Sequence, residues 1–91
     1  MNILYLCGSG RDLQYTMRRW LAANRSVIAR VDERQRIVET RSGLRIVFHT
    51  YSDPDRLRGT EFDAVFRSDG RIEASMAQEH ATEELVRTRV R

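Results

Sequence analysis

The segment that follows the first apolar run contains the residues best suited to hold an anion. Cys7-Gly8-Ser9-Gly10-Arg11 combines a thiol, a hydroxyl and a guanidinium with two glycines. Backbone N–H groups at the start of a helix, together with an arginine, attract negative charge. We therefore predict anion or nucleic-acid binding at Gly8, Ser9, Gly10 and Arg11. The alternative is a plain strand-to-helix turn in which the glycines serve only the geometry.

Arg56 and Arg58 form a second candidate site for binding phosphate or nucleic acid, on either side of Leu57. Guanidinium groups match phosphate geometry, and an arginine on a loop can also reach into a partner's active site. The alternative is a structural loop in which Arg58 pairs with one of the neighbouring acids, Asp53, Asp55 or Glu61.

The remaining reactive side chains indicate no metal or cofactor. Cys7, His49 and His80 share no metal-ligand spacing. Ser9, His49 and Asp69 form no recognisable catalytic triad. We predict no metal site, no cofactor and no catalytic residue of these classes.

A single cysteine cannot form an internal disulfide, which favours a reducing cytoplasm.

Charge alone does not identify a partner. The sixteen basic residues are all arginines, the net charge is +3, and the pI is about 9.7. This balance permits nucleic-acid binding, for which the candidate contacts are Arg11, Arg18, Arg19, Arg56 and Arg58. The arginines are spread among thirteen acids, however, which favours a salt-bridged surface over a continuous phosphate-binding stripe.

The elements that position these residues fit one small domain, residues 1–91. Apolar runs and periodicity predict strands at Asn2 to Cys7, Leu44 to Tyr51 and Phe62 to Phe66, helices at Arg11 to Asn24 and Met76 to Val90, and a hairpin from Val27 to Thr40. The predicted class is α/β, a small mainly parallel sheet with an antiparallel edge hairpin and two flanking helices. His49 is expected on the outward side of its strand. No apolar run is long enough to span a membrane.

Parallel strands place their following loops at the same end of the sheet, which is the usual ligand position in such folds. Two loops qualify, Cys7 to Asp12 and Ser68 to Gly70. We expect them to lie together, either as one open pocket or as a plugged site.

Three segments, in order, resemble part of the ATPase domain of phage terminase large subunits. They are the strand, turn and helix of Ile3 to Asn24, the S-G-L-R-I-V-F strand of Ser42 to Phe48, and D-R-L-R-G of Asp55 to Gly59 followed by F-D-A-V of Phe62 to Val65. The resemblance implies part of a P-loop NTPase core that begins after the Walker A unit. It also implies a phage-encoded protein that acts in the host cytoplasm.

The chain departs from that family at the catalytic positions. Ser68-Asp69 stands where the family's Walker B strand ends in an Asp-Glu pair, and the chain has no lysine to grip phosphate. The resemblance therefore implies a non-catalytic protein that binds protein or nucleic acid. Because the missing strands would expose a sheet edge at the Asn2 or Phe62 strand, we expect self-association, such as a homodimer, or coverage by the terminal helix.

The apolar strand and small-residue loop of Ile3 to Gly10 are also similar to the start of the cysteine-phosphorylated IIB domains of the sugar phosphotransferase system. This second resemblance implies a phosphoryl carrier, or an anion-binding domain, that uses the Cys7 to Arg11 loop. Asp12 departs from the pattern, because its carboxylate would repel a phosphocysteine.

Overall fold

The computed structural model describes all residues from Met1 to Arg91, which form five strands and two helices. The strands are β1 (Asn2–Cys7), β2 (Ile28–Asp32), β3 (Ile37–Thr40), β4 (Arg45–Thr50) and β5 (Ala64–Arg67), and the helices are α1 (Gly10–Ala23) and α2 (Met76–Arg89). Two short 3₁₀ turns, Arg25–Val27 and Pro54–Leu57, complete the element order. The order and type of every predicted element are confirmed.

The strands form one mixed sheet in the order β2-β3-β4-β1-β5. β1 pairs in parallel with β4 on one side and with β5 on the other, while β2, β3 and β4 pair antiparallel. The predicted parallel trio and the edge hairpin are therefore confirmed, although only half of the four pairings are parallel. Of the two strands expected at the exposed edge, β1 is internal, because β5 covers it, and β5 is the edge strand.

Each helix covers one face of the sheet, which gives three layers. On the α1 face, Leu13 and Met17 pack with Ile46 and Phe48. On the α2 face, Val86 packs with a set of buried side chains from the sheet and the loop before β5, Leu4, Leu6, Tyr51, Leu57 and Phe62. A sheet that is buried on both faces explains the continuous apolar run in β1.

His49 corrects the predicted exposure of β4. We expected its side chain on an outward face, but only 7% of the residue is exposed. The alternation along β4 does separate two faces, yet both of them meet protein. The alternation of apolar and polar residues along β4 was therefore wrongly interpreted as a strand with one exposed face.

The termini of both helices follow from capping chemistry. Ser9 caps α1 by accepting a hydrogen bond from the N–H of Asp12, and Asn24 ends it. Ser75 and Gln78 form a reciprocal capping box at the start of α2. Gly10 is thereby fixed as the first residue of α1, directly after the β1 loop.

β5 is a partly open edge strand. Before it begins, Phe62 pairs with the chain end: its N–H donates to Arg89 and its carbonyl accepts from Arg91. β5 itself, residues Ala64–Arg67, pairs with β1 alone. The terminal segment thus covers the approach to β5 but leaves the outer edge of the strand unpaired.

No helix has the length and apolar character needed to cross a membrane.

Candidate functional site

The loops after β1 and β5 meet at the same end of the sheet, as their parallel strands predict, and Asp12 joins them. One carboxylate oxygen, Oδ2, accepts from the N–H of Gly8 at 2.7 Å and from the hydroxyl of Ser68. The other oxygen, Oδ1, accepts from the hydroxyl of Thr16 at 3.3 Å. The chain's own carboxylate therefore uses a backbone donor that an external anion would need.

Two glycines allow these loops to approach closely. A Cβ on Gly8 would lie 2.0 Å from the carbonyl oxygen of Arg71, and one on Gly70 would lie 2.3 Å from the Asp12 carboxyl carbon. The carbonyl of Gly8 also accepts from the N–H of Glu73 at 2.7 Å. Gly8 is required by packing against backbone, whereas a side chain at Gly70 would displace the Asp12 carboxylate. The site between the loops is plugged.

Cys7 lies beneath this plug and is fully buried. Burial, followed by the negative charge of Asp12, raises the pKa of the thiol to about 11. A thiol becomes a good nucleophile when its pKa is lowered by positive neighbours and when it is accessible. Cys7 has neither property, and its environment suits a small buried side chain.

The two Walker B-like positions have different surroundings. Ser68 is half-buried and donates to Asp12, and its hydroxyl also accepts from the N–H of Gly70 at 3.3 Å. Asp69 is exposed. No group of three or more His, Cys, Asp and Glu side chains is placed to hold a metal ion. Ser68 is thus a structural link between two loops.

Aromatic side chains collect on the α1 face at the β5 side of the sheet. Tyr5 of β1 stacks on Phe48 and contacts Phe66 of β5, with ring centroids 5.4 Å and 6.0 Å away. Phe66 is 52% exposed, and Tyr15 on α1 is 61% exposed. The guanidinium of Arg19 lies over the Tyr15 ring, 5.6 Å from its centroid. Tyr5 thus contacts the exposed ring of Phe66 and lines the same cleft as the exposed ring of Tyr15.

Arginines surround these rings. Tyr15 separates two shallow clefts: one contains Ser9, Arg11 and Arg71, and the other contains Tyr5, Arg19 and Trp20 and has a volume of about 510 Å³. Arg11, Tyr15 and Arg19 follow one another at four-residue spacing, so they lie along one side of α1. We call Arg11, Tyr15, Arg19, Trp20, Phe66 and Arg71 the aromatic–arginine surface.

Most arginines lack an acidic partner, contrary to the expected salt-bridged surface. Only four of the sixteen have a carboxylate within 4.0 Å, namely Arg58, Arg67, Arg87 and Arg91. Arg58 pairs with Asp55 at 2.9 Å, which agrees with the structural alternative for that residue. Arg56 has no such pair and lines a different cavity, on the α2 face. The structure therefore does not unite Arg56 with Gly8, Ser9, Gly10 and Arg11.

Comparisons with protein-family models, curated proteins and solved structures were made for the whole chain. None gives a significant match. The resemblances to terminases and to IIB domains therefore stay predictions.

Sequence reasoning missed most of the aromatic–arginine surface. It selected Arg11 and Arg19 as candidate nucleic-acid contacts but overlooked Tyr15, Phe66 and Arg71. The four-residue spacing from Arg11 to Arg19 is a signal in the sequence that could have identified the helical part. The contribution of Phe66 depends on the register of β5 against β1, which pairs it with Tyr5.

Proposed function

We propose that this protein is a non-catalytic module that binds single-stranded nucleic acid through the aromatic–arginine surface. The observation that carries the proposal is the exposed Tyr15 ring with Arg19 over it, beside a cleft that contains two further unpaired arginines, Arg11 and Arg71. Bases stack on exposed rings, while arginines neutralise the phosphates between them.

Single strands fit this surface better than duplexes. Tyr15 and Phe66 offer exposed rings, beside the half-buried Trp20, and bases can stack on such rings only when they are not stacked within a duplex. Arg11, Arg19 and Arg71 have no ion-pair partner, so their guanidiniums are available to phosphates, although Asp12, Asp69 and Glu73 also line the two clefts.

Binding without catalysis agrees with the plugged loops. Ser68 donates to Asp12, and no lysine is present to hold a phosphate for transfer. In the proposed view the domain is a phage-type relative of the terminase ATPase core that retains its α/β frame and lacks its nucleotide site. The five-stranded sheet and its parallel trio support that frame without identifying the family.

The proposal is tested by fluorescence anisotropy with a labelled oligothymidylate, across a salt titration. Neutralising about three phosphates gives a slope of log K against log salt of about −2. Tyr15→Ala should weaken binding about tenfold, because stacking of one base is lost. Arg19→Gln should weaken it and reduce the steepness of the slope by roughly 0.7.

Two matched variants control for general effects. Val27→Ala removes exposed apolar area elsewhere, since Val27 is 45% exposed, and Arg34→Gln removes an exposed, unpaired charge from the β2–β3 turn. Both should bind like the parent protein. Equal affinity for duplex and single strand, or full binding by Tyr15→Ala, would contradict the proposal.

The phosphoryl-carrier alternative has less support. It needs an accessible Cys7 thiolate, whereas Cys7 is buried and its pKa is raised. A mass increase of a phosphoryl group after incubation with phosphodonors, lost in Cys7→Ser, would restore that alternative.

A further inference from the structure

A second cluster of unpaired cations lies on the α2 face, away from the aromatic–arginine surface. The β2–β3 turn, β4 and the Pro54–Leu57 turn enclose a cavity of about 350 Å³. Three of its lining residues are arginines, Arg36, Arg45 and Arg56, and Asp53 is its only carboxylate. The cavity therefore carries a net positive charge.

None of these three arginine side chains forms an ion pair within the protein. None has a carboxylate within 4.0 Å or a side-chain hydrogen bond, although Arg45 lies opposite Glu39 in the β3–β4 register. Like charges that line one cavity repel one another, and a bound anion would remove that cost. Arginine is well suited to such a role because its planar fork binds phosphate oxygens in pairs.

The backbone at Arg36 is unusual. Its φ is +59°, and Arg36 is the only residue other than glycine with a positive φ. A long side chain is uncommon in this conformation, which asparagine and glycine adopt more readily. The carbonyl of Arg36 accepts from the N–H of Phe48 at 3.0 Å, which ties the turn to β4. This hydrogen bond holds the backbone of Arg36 against β4, beside the cavity that Arg36 lines.

The cavity is also lined by apolar side chains and by the buried imidazole of His49. The apolar lining residues, which we call the apolar floor, are Leu13, Ile37, Val47, Phe48, Leu57 and Phe62. The Nε2–H of His49 donates to the carbonyl of Asp53 at 2.7 Å. Burial lowers the pKa of His49, as do the charges of Arg56 and Arg36, while the Asp53 carbonyl and carboxylate oppose this. Both arginines thus act electrostatically on the same imidazole.

We propose that this cavity binds a small organic phosphate, with its phosphate on Arg36, Arg45 and Arg56 and its body on the apolar floor. The volume lies within the range of small-molecule sites. One carboxylate against three guanidiniums leaves charge for a phosphate dianion. The ligand class is a phosphate monoester, and AMP is a suitable probe.

His49 reports on binding directly. We expect AMP to shift the imidazole NMR signals of His49 saturably, with a Kd below about 1 mM, and to raise the pKa of His49 because the dianion offsets Arg36 and Arg56. His80 is an internal control, since it lies exposed on α2. Adenosine, which lacks the phosphate, should leave both histidines unchanged.

Variants connect the response to the cavity. Arg36→Asn removes the charge and keeps a residue that tolerates positive φ, and Arg56→Gln removes the charge contributed by the Pro54–Leu57 turn. Each should weaken AMP binding at least fivefold. Arg34→Gln, two residues from Arg36 and exposed, should bind AMP normally. Thermal unfolding of each variant establishes whether it is folded. If Arg36→Asn is not folded, the AMP affinity of Arg56→Gln decides the result.

Several outcomes would overturn the proposal. The first is that the His49 signals show no saturable shift up to roughly 10 mM AMP. The second is that sodium chloride at matched ionic strength produces the same shift as AMP. The third is that Arg56→Gln binds AMP normally. Inorganic phosphate as tight as AMP would overturn the assignment of an organic body to the apolar floor. Oligothymidylate binding should be unchanged in Arg56→Gln, so failure here is distinguishable from failure of the proposed nucleic-acid function.

Discussion

Cys7 and Asp12 show how one residue sets the chemistry of its neighbour. Asp12 is held by Gly8, Thr16 and Ser68, so its charge is fixed close to the buried thiol. Burial and that charge together disfavour a thiolate. The sequence alone indicated that Asp12 would repel an anion on Cys7. It did not show that the thiol would be inaccessible.

The raised pKa of Cys7 predicts a loss of stability at alkaline pH. The folded protein keeps the thiol proton up to a pKa of about 11, whereas the unfolded chain loses it near the usual value of 9.0. As pH rises from 9 to 11, the unfolded state is therefore favoured, by up to about 2 to 3 kcal/mol. Urea unfolding between pH 8 and 11 measures this.

Cys7→Ala is the matched control for that titration, because it cannot ionise. Tyr51, whose pKa is also raised by burial and by Glu83, titrates in both proteins and cancels in the comparison. The chain has no lysine to add a further alkaline titration. Parallel pH curves for the two proteins would refute the assignment.

At the scale of elements, the close packing of the β1 and β5 loops predicts opposite effects for two nearby glycines. Gly8→Ala places a methyl group 2.0 Å from the Arg71 carbonyl oxygen and should destabilise the protein by about 1–3 kcal/mol. Gly10→Ala meets nothing within 4 Å and should change the free energy of unfolding by less than about 0.5 kcal/mol. Urea unfolding distinguishes them.

Equal stability of the Gly8 and Gly10 variants would mean that the two loops separate easily. In that case the plug described above would be loose, and the predicted anion site at Gly8, Ser9, Gly10 and Arg11 would regain support. A large loss of stability in Gly8→Ala alone would show that packing requires Gly8. It would also show that the first position of α1, Gly10, tolerates a side chain.

Element identity was readable from the sequence, whereas element order in the sheet was not. Alternation, apolar runs and turn residues identify strands and helices locally. Which strand lies between which depends on contacts between distant segments, and so the sequence left open whether β1 or β5 is the edge strand. The burial of His49 was missed for the same reason, since it requires the Pro54–Leu57 turn to cover that face.

The α2-face cavity was out of reach of sequence reasoning. Arg36, Arg45 and Arg56 come from three separate elements, and each alone resembles an ordinary solvated arginine. Only Arg56 was selected, together with Arg58, and the structure separates that pair: Arg58 bonds Asp55 while Arg56 faces the cavity. A pattern along the sequence does not show which residues from distant segments come together in the folded protein.

For the whole molecule, the unpaired outer edge of β5 makes homodimerisation a testable prediction. Edge-to-edge pairing of Ala64–Arg67 in two copies would extend the sheet across a twofold axis. Sedimentation equilibrium should then give a mass of about twice 10.7 kDa. Phe66→Glu should shift the protein toward the single-chain mass by placing like charges near that axis.

Val31→Glu is the control for the dimer prediction, because it adds the same charge to a 37% exposed position on β2, at the other edge of the sheet. It should leave the mass unchanged. A mass of 10.7 kDa for the parent chain at all concentrations would contradict pairing through β5.

The Asp12 carboxylate also has a consequence for competition. It is attached four residues from Gly8 and never diffuses away, so it competes with any dissolved anion as an intramolecular ligand at high effective concentration. A free phosphate would have to displace this tethered competitor before it could reach the backbone donor. Mass action thus protects the end of the sheet from cellular phosphates, and a single substitution, Asp12→Ser, would remove the protection.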